Sequence, residues 1–342
     1  MNIAVKTTRQ GLMQSGDGAN ARRSGRMLIS SAGRRVGLLR CFRESAAILG
    51  LDLDILASDL KPEWSPACFE ADAAFAAPPA ESDAFIPQML DLCQRQGIGL
   101  IVPTIDTELM AYAQARDQFA AIGAHVAVSD AAPVAMARDK LATAAFLSKA
   151  GIPSPRTVTA DDALNDRSTL AFPLLAKPRH GSSSRGIAVV RDLDQVAAME
   201  AVEPYVLQEI LDGPEYTVSL YFDMSGALQC AVPHERLRVR GGEVEKGVTV
   251  RIPSLEDMAG SLASALNGAR GAMCFQTRMA ADGTPSMFEI NARFGGGYPL
   301  AHKAGAPFAQ WMLEEWLDLP RTAADQWRTD VLMLRFDDAL FV

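Results

Sequence analysis

Between residues 27 and 128, short apolar runs alternate with stretches of helical spacing, and that alternation leaves few folds open. The run Met27-Leu28-Ile29-Ser30-Ser31 gives way to a turn at Gly33. Val36, Leu39, Phe42, Ala46 and Leu49 then recur at helical intervals until Gly50 ends the period. Strand-like runs recur at 53–58, 75–78, 99–102 and 124–128, with helices predicted over 83–96 and up to about 121. Strands separated by helices pair in parallel, so a doubly wound α/β domain is expected over 26–130. Ligands of such sheets sit beyond the carboxyl ends of the strands. Three loops lie there: Gly33-Arg34-Arg35, Asp59, and Asp106 with Glu108. Only Gly33 and Gly37 are available after the first strand, so the G-x-G-x-x-G dinucleotide fingerprint is absent and a NAD site is not expected.

A linking helix over 139–150 and the linker Ile152-Pro153-Ser154-Pro155 occupy 131–155, and beyond them the pattern changes to short strands with glycine turns. Runs at 172–177 and 187–190 flank a loop of small residues and cations, Pro178 to Gly186, with Ser182, Ser183 and Ser184 at its centre. Small residues let backbone N–H groups approach an anion closely, so the hairpin suits phosphate; a solvated surface turn is the plainer alternative. Further strands are read at 205–209, 216–222 and 228–232, and Arg236, Arg238 and Arg240 follow. If that segment is extended, alternation places the three arginines on one face, aimed at an anion or simply at solvent.

The densest chemistry lies at Met287-Phe288-Glu289-Ile290-Asn291-Ala292-Arg293, followed by Gly295-Gly296-Gly297. Glu289 and Asn291 are two apart, so on a strand their side chains leave the same face. Both offer oxygen ligands, which Mg²⁺ prefers when it also holds phosphates. A hairpin through Asp282-Gly283 brings Gln276 beside them, and Arg293 adds a fork-shaped cation suited to a phosphoryl group.

Composition narrows the partners. The net charge of −8, with no long basic run, speaks against nucleic acid, and no apolar stretch reaches the length of a membrane span. Five cysteines without a C-x-x-C pair fit a reducing compartment, so a cytoplasmic protein without structural zinc is expected. Residues 1–25 are polar and lack an apolar signal region; they read as a disordered leader or a misassigned start.

The order of these parts, from about residue 27 to the end, resembles the ATP-grasp superfamily, and within it the large-subunit branch of carbamoyl-phosphate synthetase. The resemblance rests on Lys140, on Leu174-Leu175-Ala176-Lys177-Pro178, on Gln208-Glu209-Ile210-Leu211-Asp212-Gly213-Pro214-Glu215, and on the Gln276, Glu289, Asn291 and Arg293 set. It implies a combined α/β and α+β architecture: a pre-ATP-grasp domain, a small lid over 156–210, and a C-terminal lobe over 211–342. It further implies ATP and two Mg²⁺ ions. Lys140 and Lys177 would contact phosphates, the 208–211 hinge would hold adenine, and Glu215 would hold the ribose. Glu289 would bridge the metals, with Gln276 and Asn291 on one each, and Arg293 would stabilise the transferred phosphoryl. The neutral Gln276 replaces a carboxylate common in the superfamily, and the phosphate loop is richer in serine than in glycine.

The expected reaction is ATP-dependent ligation of a small carboxylic or amino acid to an amine through an acyl phosphate, with Lys177, Arg240 and Arg293 as catalytic residues. Arg34, Asp106, Glu108, Arg236, Arg238 and Arg240 are the candidates for the acid. Kinase-like formation of an acyl or carbamoyl phosphate, or nucleotide binding without catalysis, are the alternatives. A homodimer or a carrier-protein partner is compatible with the sequence.

Overall fold

The computed structural model describes residues 23–165, 171–181, 186–199 and 203–342. Of the leader expected over 1–25, residues 1–22 lie outside the described residues, as do the loop serines Ser182, Ser183 and Ser184, whereas Ser24 and Gly25 belong to the first strand.

The first sheet is parallel, in the order β3-β2-β1-β4-β5, from β1 (Ser24–Ser30), β2 (Asp52–Asp59), β3 (Ala73–Ala76), β4 (Leu100–Pro103) and β5 (His125–Val126). Helices cover both faces of such a sheet, which is why its central strands are continuously apolar. Met27, Leu28 and Ile29, like Leu100, Ile101 and Val102, are all buried. The strand order reverses between β1 and β4, so the loops after these two strands flank the crevice where ligands of open α/β sheets bind. Arg34 and Arg35 sit on the first of these loops, and Asp106 opens the helix Asp106–Ala121 that follows the second.

A four-stranded antiparallel sheet follows, ordered β6-β9-β7-β8: β6 (Thr157–Thr159), β7 (Leu174–Pro178), β8 (Ala188–Val190) and β9 (Tyr205–Glu209). Its small core of Ala163, Leu174, Ala176, Val190, Val196 and Leu207 is separate from the other two. The helix Lys140–Lys149 leads into this unit. Asp139 caps it by accepting from the N–H groups of Leu141 and Ala142, and the same carboxylate pairs with Arg179 at 2.6 Å beyond β7.

The largest sheet is antiparallel, ordered β14-β13-β10-β11-β12-β15: β10 (Glu215–Phe222), β11 (Leu228–Arg240), β12 (Glu243–Thr249), β13 (Gly271–Met279), β14 (Pro285–Asn291) and β15 (Leu332–Leu334). Its two faces pack against different parts of the first domain. Phe275, Met287 and Val218 share a core with Phe85 and Tyr112, whereas Tyr221 and Val232 join Phe42, Tyr298 and Trp311. The strand β12 was not anticipated, because Glu243, Glu245 and Lys246 mask its alternation. Among the described residues no helix is long and apolar enough to cross a membrane.

Candidate active site

The hairpin expected around Asp282-Gly283 is present. Gly283 has φ +85°, a left-handed conformation that favours glycine, and a register shift at Phe288 then sets Gln276 directly opposite Glu289. Asn291 donates to a Glu289 oxygen at 3.4 Å, and Arg293 donates to Asn291 Oδ1 at 3.0 Å. Arg293 also pairs with Asp106 at 2.8 Å, so the switch-point loop of the first domain is tied to this cluster. Burial pulls the Arg293 guanidinium down, but the charge and hydrogen bond of Asp106 carry it above its ordinary value. Its Nε is buried without a partner.

Among the described residues no group of three or more acidic, histidine or cysteine side chains is arranged to hold a metal alone. One carboxylate and two carboxamides fit an ion that takes the rest of its shell from phosphates and water, as Mg²⁺ does.

A cavity of about 490 Å³ lies between the two antiparallel sheets, walled by Lys140, Lys177, residues 208–212, Glu215, Arg236, Gln276 and Glu289. Lys177 donates to Gln208 Oε1 at 2.6 Å, and Gln208 is held in turn by Thr157 Oγ1 at 2.9 Å. Burial lowers the Lys177 ammonium to about 8, against the opposing pull of Glu289. Lys140 donates to the carbonyls of Pro178 at 3.0 Å and Gly181 at 2.6 Å, on the arm that leads into the serine loop; burial lowers it as well. On the hinge, Glu209 accepts from the Arg156 N–H at 2.8 Å. The backbone of Ile210 and Leu211 forms the adjoining wall. Glu215 is gripped by Arg236 at 3.0 Å and Arg278 at 2.8 Å.

Four expectations are corrected. The three arginines of β11 do not share a face. Leu237 is an extra residue between Arg236 (opposite Gly247) and Arg238 (opposite Lys246), and this bulge switches the alternation. Arg236 and Val239 therefore line the cavity, while Arg238 pairs with Glu245, and Arg240 with Glu245 and Asp337, on the exposed side. Arg240 thus loses its catalytic assignment. Glu108 does not reach the cleft: fully buried, it accepts from Ser30, Ser31 and the N–H groups of Thr104 and Ile105. Its role is to fix the ends of β1 and β4 and the helix start, not to hold an ammonium. Arg34 is exposed, and its neighbour Arg35 occupies the crevice instead, beside Arg293 and 3.8 Å from Glu243. The Gly33-Arg34-Arg35 loop was expected at the crevice, with Arg34 as its contact; Glu243 and Arg278 were not singled out as site residues, and nothing in their local pattern marked them.

The five cysteines are free and buried, and burial raises the Cys274 thiol beside the cluster to about 12, which leaves no thiolate for nucleophilic chemistry there.

Comparison with known proteins gives two family matches. Residues 27–127 match a PylC-like N-terminal domain, and residues 201–338 match an ATP-grasp family described as in the biosynthetic pathway with the Ter operon. A D-alanine–D-alanine ligase of Pseudomonas putida (strain GB-1) is 35% identical over 94 residues, 25% of this chain. The chain spans only 30% of that relative's length. Among solved structures, the biotin carboxylase domain of Hydrogenobacter thermophilus 2-oxoglutarate carboxylase superposes with a TM-score of 0.70 at 16% identity, covering 90% of this chain and 73% of the other. The L-amino acid ligase of Bacillus licheniformis gives 0.64 at 19% identity, covering 86% and 75%.

Proposed function

We propose that this chain, an ATP-grasp protein, is an ATP-dependent carboxylate–amine ligase that works through an acyl phosphate. One observation carries the reading. The 490 Å³ cavity shares its wall of Arg236, Gln276 and Glu289 with a second, smaller cavity of about 70 Å³ lined by Arg293, Ser219, Cys274 and Gly295 to Gly297. A nucleotide in the first and an acid in the second would meet at the metal cluster. That arrangement suits direct phosphoryl transfer, which needs mainly positioning and charge neutralisation. The structures it resembles support the nucleotide: the Hydrogenobacter domain is described in complex with MgADP, ADP and bicarbonate.

In this reading Lys140 and Lys177 hold phosphate oxygens, and the backbone of Ile210 and Leu211 faces the base. Mg²⁺ bound at Glu289, with Gln276 and Asn291, would neutralise charge on the phosphates of ATP. A carboxylate oxygen of the acid attacks the γ-phosphorus, the bond to the β-phosphate oxygen breaks, and ADP leaves. Arg236, on the shared wall, and Arg293, on the acid side, offset the charge of the phosphoryl group. The neutral amine then attacks the acyl carbon, the bond from that carbon to the phosphate oxygen breaks, and inorganic phosphate departs with the proton lost from the nitrogen.

The test is ADP release with Mg²⁺-ATP against a panel of acids, each with and without a pool of amines. Turnover requiring both acid and amine is expected. Full turnover with acid alone would replace the ligase by a kinase-like enzyme.

A pH effect follows from Lys177. A triphosphate favours the charged ammonium, so binding returns a proton to a lysine that otherwise loses it near pH 8. The Kd of a non-hydrolysable ATP analogue is therefore expected to be flat below pH 7. Above pH 8 it should rise by up to about tenfold per pH unit. Calorimetric titration of Lys177→Met should show weaker binding without that rise.

A further inference from the structure

We infer that a cavity at the far end of the large sheet is a second ligand site, shaped for a small aromatic carboxylic acid. The cavity, about 210 Å³, lies where the edge strand β5 and the helix Asp106–Ala121 meet the ends of β10 and β13 and the helix Phe308–Trp316. It shares none of its lining with the two catalytic cavities. Tyr221 pairs with Ala272 at this end, whereas Glu215 pairs with Arg278 at the catalytic end, six residues or about 20 Å along β10. The inference therefore stands apart from the ligase reading.

The apolar part of the lining is fixed in place. Trp316 lies against the first sheet because Gly25 and Gly99 leave room for it: a Cβ on either would come 2.6 or 2.7 Å from its indole ring. Met312, Met224, Val126 and Tyr221 extend that wall. An apolar cavity of about 150 Å³ takes up benzene, so a single ring fits here. The cations are Arg116, Arg270 and His125. Both guanidiniums share one carboxylate, Asp130, at 2.5 Å from Arg116 and 3.5 Å from Arg270, and their side chains stay 30% and 34% exposed. Among the described residues their one further hydrogen bond runs from Arg270 to the Met224 carbonyl at 2.9 Å. Burial, then the charges of Arg116 and Arg270, hold the His125 imidazole below its ordinary value, which leaves it neutral beside two cations. Of the acids on the lining, Glu315 is engaged by the Tyr221 hydroxyl at 2.9 Å, the Met224 N–H at 3.2 Å and Arg321 at 3.8 Å, and Asp117 is exposed. One carboxylate against two guanidiniums leaves a positive charge for an anion to answer, and the apolar wall sets what that anion carries. A carboxylate can take both arginines, as Asp130 does, while a ring buries against Trp316 and Tyr221.

The experiment is calorimetric titration of the full chain, with Mg²⁺ and a saturating non-hydrolysable ATP analogue present. The probes are benzoate, phenylacetate and 3-phenylpropanoate, the uncharged amide of each, and inorganic phosphate. At least one acid is expected to bind. Its amide, which lacks the charge, and phosphate, which lacks the ring, should each bind about 10-fold more weakly or worse. Arg116→Gln and Arg270→Gln should weaken the acid about 10- to 100-fold, the range of a charge-assisted hydrogen bond. Ala120→Phe fills the cavity from an exposed helix position without removing a bond, and should abolish binding. ATP-analogue affinity should stay within about twofold in each of these variants, which shows that they are folded. Arg293→Lys should bind the acid as the unaltered chain does, because only an acid lodged in the catalytic cavity would respond to that change. No acid binding, an amide or phosphate that binds as tightly as the acid, an acid unaffected by Ala120→Phe or by both arginine variants, or an acid weakened by Arg293→Lys, would each overturn the inference.

Discussion

Replacing Glu289 with alanine is expected to lower ATP turnover by at least about 10³-fold while leaving the fold in place. Glu289 is the one carboxylate of the oxygen set, with Gln276 opposite it and Asn291 two residues on. Neither carboxamide carries the charge a divalent ion needs, so their oxygens alone would bind Mg²⁺ weakly. Glu289 also opposes the desolvation of Lys177 and Lys140, and its loss should move the Lys177 titration below its present value near 8. The side chain lines cavities rather than filling the core, so the thermal midpoint should move by only a few degrees. ADP release and circular dichroism melting check the two halves of the claim. A variant that hydrolyses ATP normally would remove the metal assignment.

Arg293→Lys is expected to reduce kcat by about 10²- to 10³-fold with ATP affinity little changed. Nη2 alone holds Asp106 and Asn291 while Nη1 donates to the Phe294 carbonyl, so a lysine that keeps the charge and the first two partners has no second nitrogen to direct elsewhere. Arg293→Ala adds a structural penalty, because Asp106 loses its partner in a contact where both side chains are less than a fifth exposed. A destabilisation of about 2 kcal/mol is expected by urea unfolding, short of the loss seen for a fully buried pair. If Arg293→Lys kept full kcat, the arginine would be a strut between the two domains and nothing more.

Both predictions concern residues that local pattern could reach. The hairpin is specified by Asp282-Gly283 and flanking alternation, but regular pairing from that turn would set Gln276 opposite Phe288; a bulge at Phe288 moves the register by one and aligns Gln276 with Glu289. Lys177 is legible as the end of an apolar strand. The arginines of β11 show the limit: alternation carries from Arg236 to Arg240 only if no residue is inserted, and a bulge at Leu237 has no mark in the side chains around it. Glu108 shows another. Its place after a parallel strand is as consistent with a ligand contact as with a helix start, and only the partners Ser30 and Ser31, far away in sequence, decide between them.

What the sequence by itself determined is the periodic part: the parallel first sheet, the change to antiparallel strands, and the spacing of Glu289, Asn291 and Arg293. These follow from apolar pattern and turn chemistry, which act over a few residues. What only the tertiary structure decided is which charged groups face one another. Arg35 rather than Arg34 enters the crevice, Arg236 alone of its set turns inward, and Glu243 meets Gly296 across the cleft. Those outcomes depend on bulges, on the strand-order reversal and on the packing of the large sheet against the first domain. Such contacts join positions tens to hundreds of residues apart, where local periodicity carries no information.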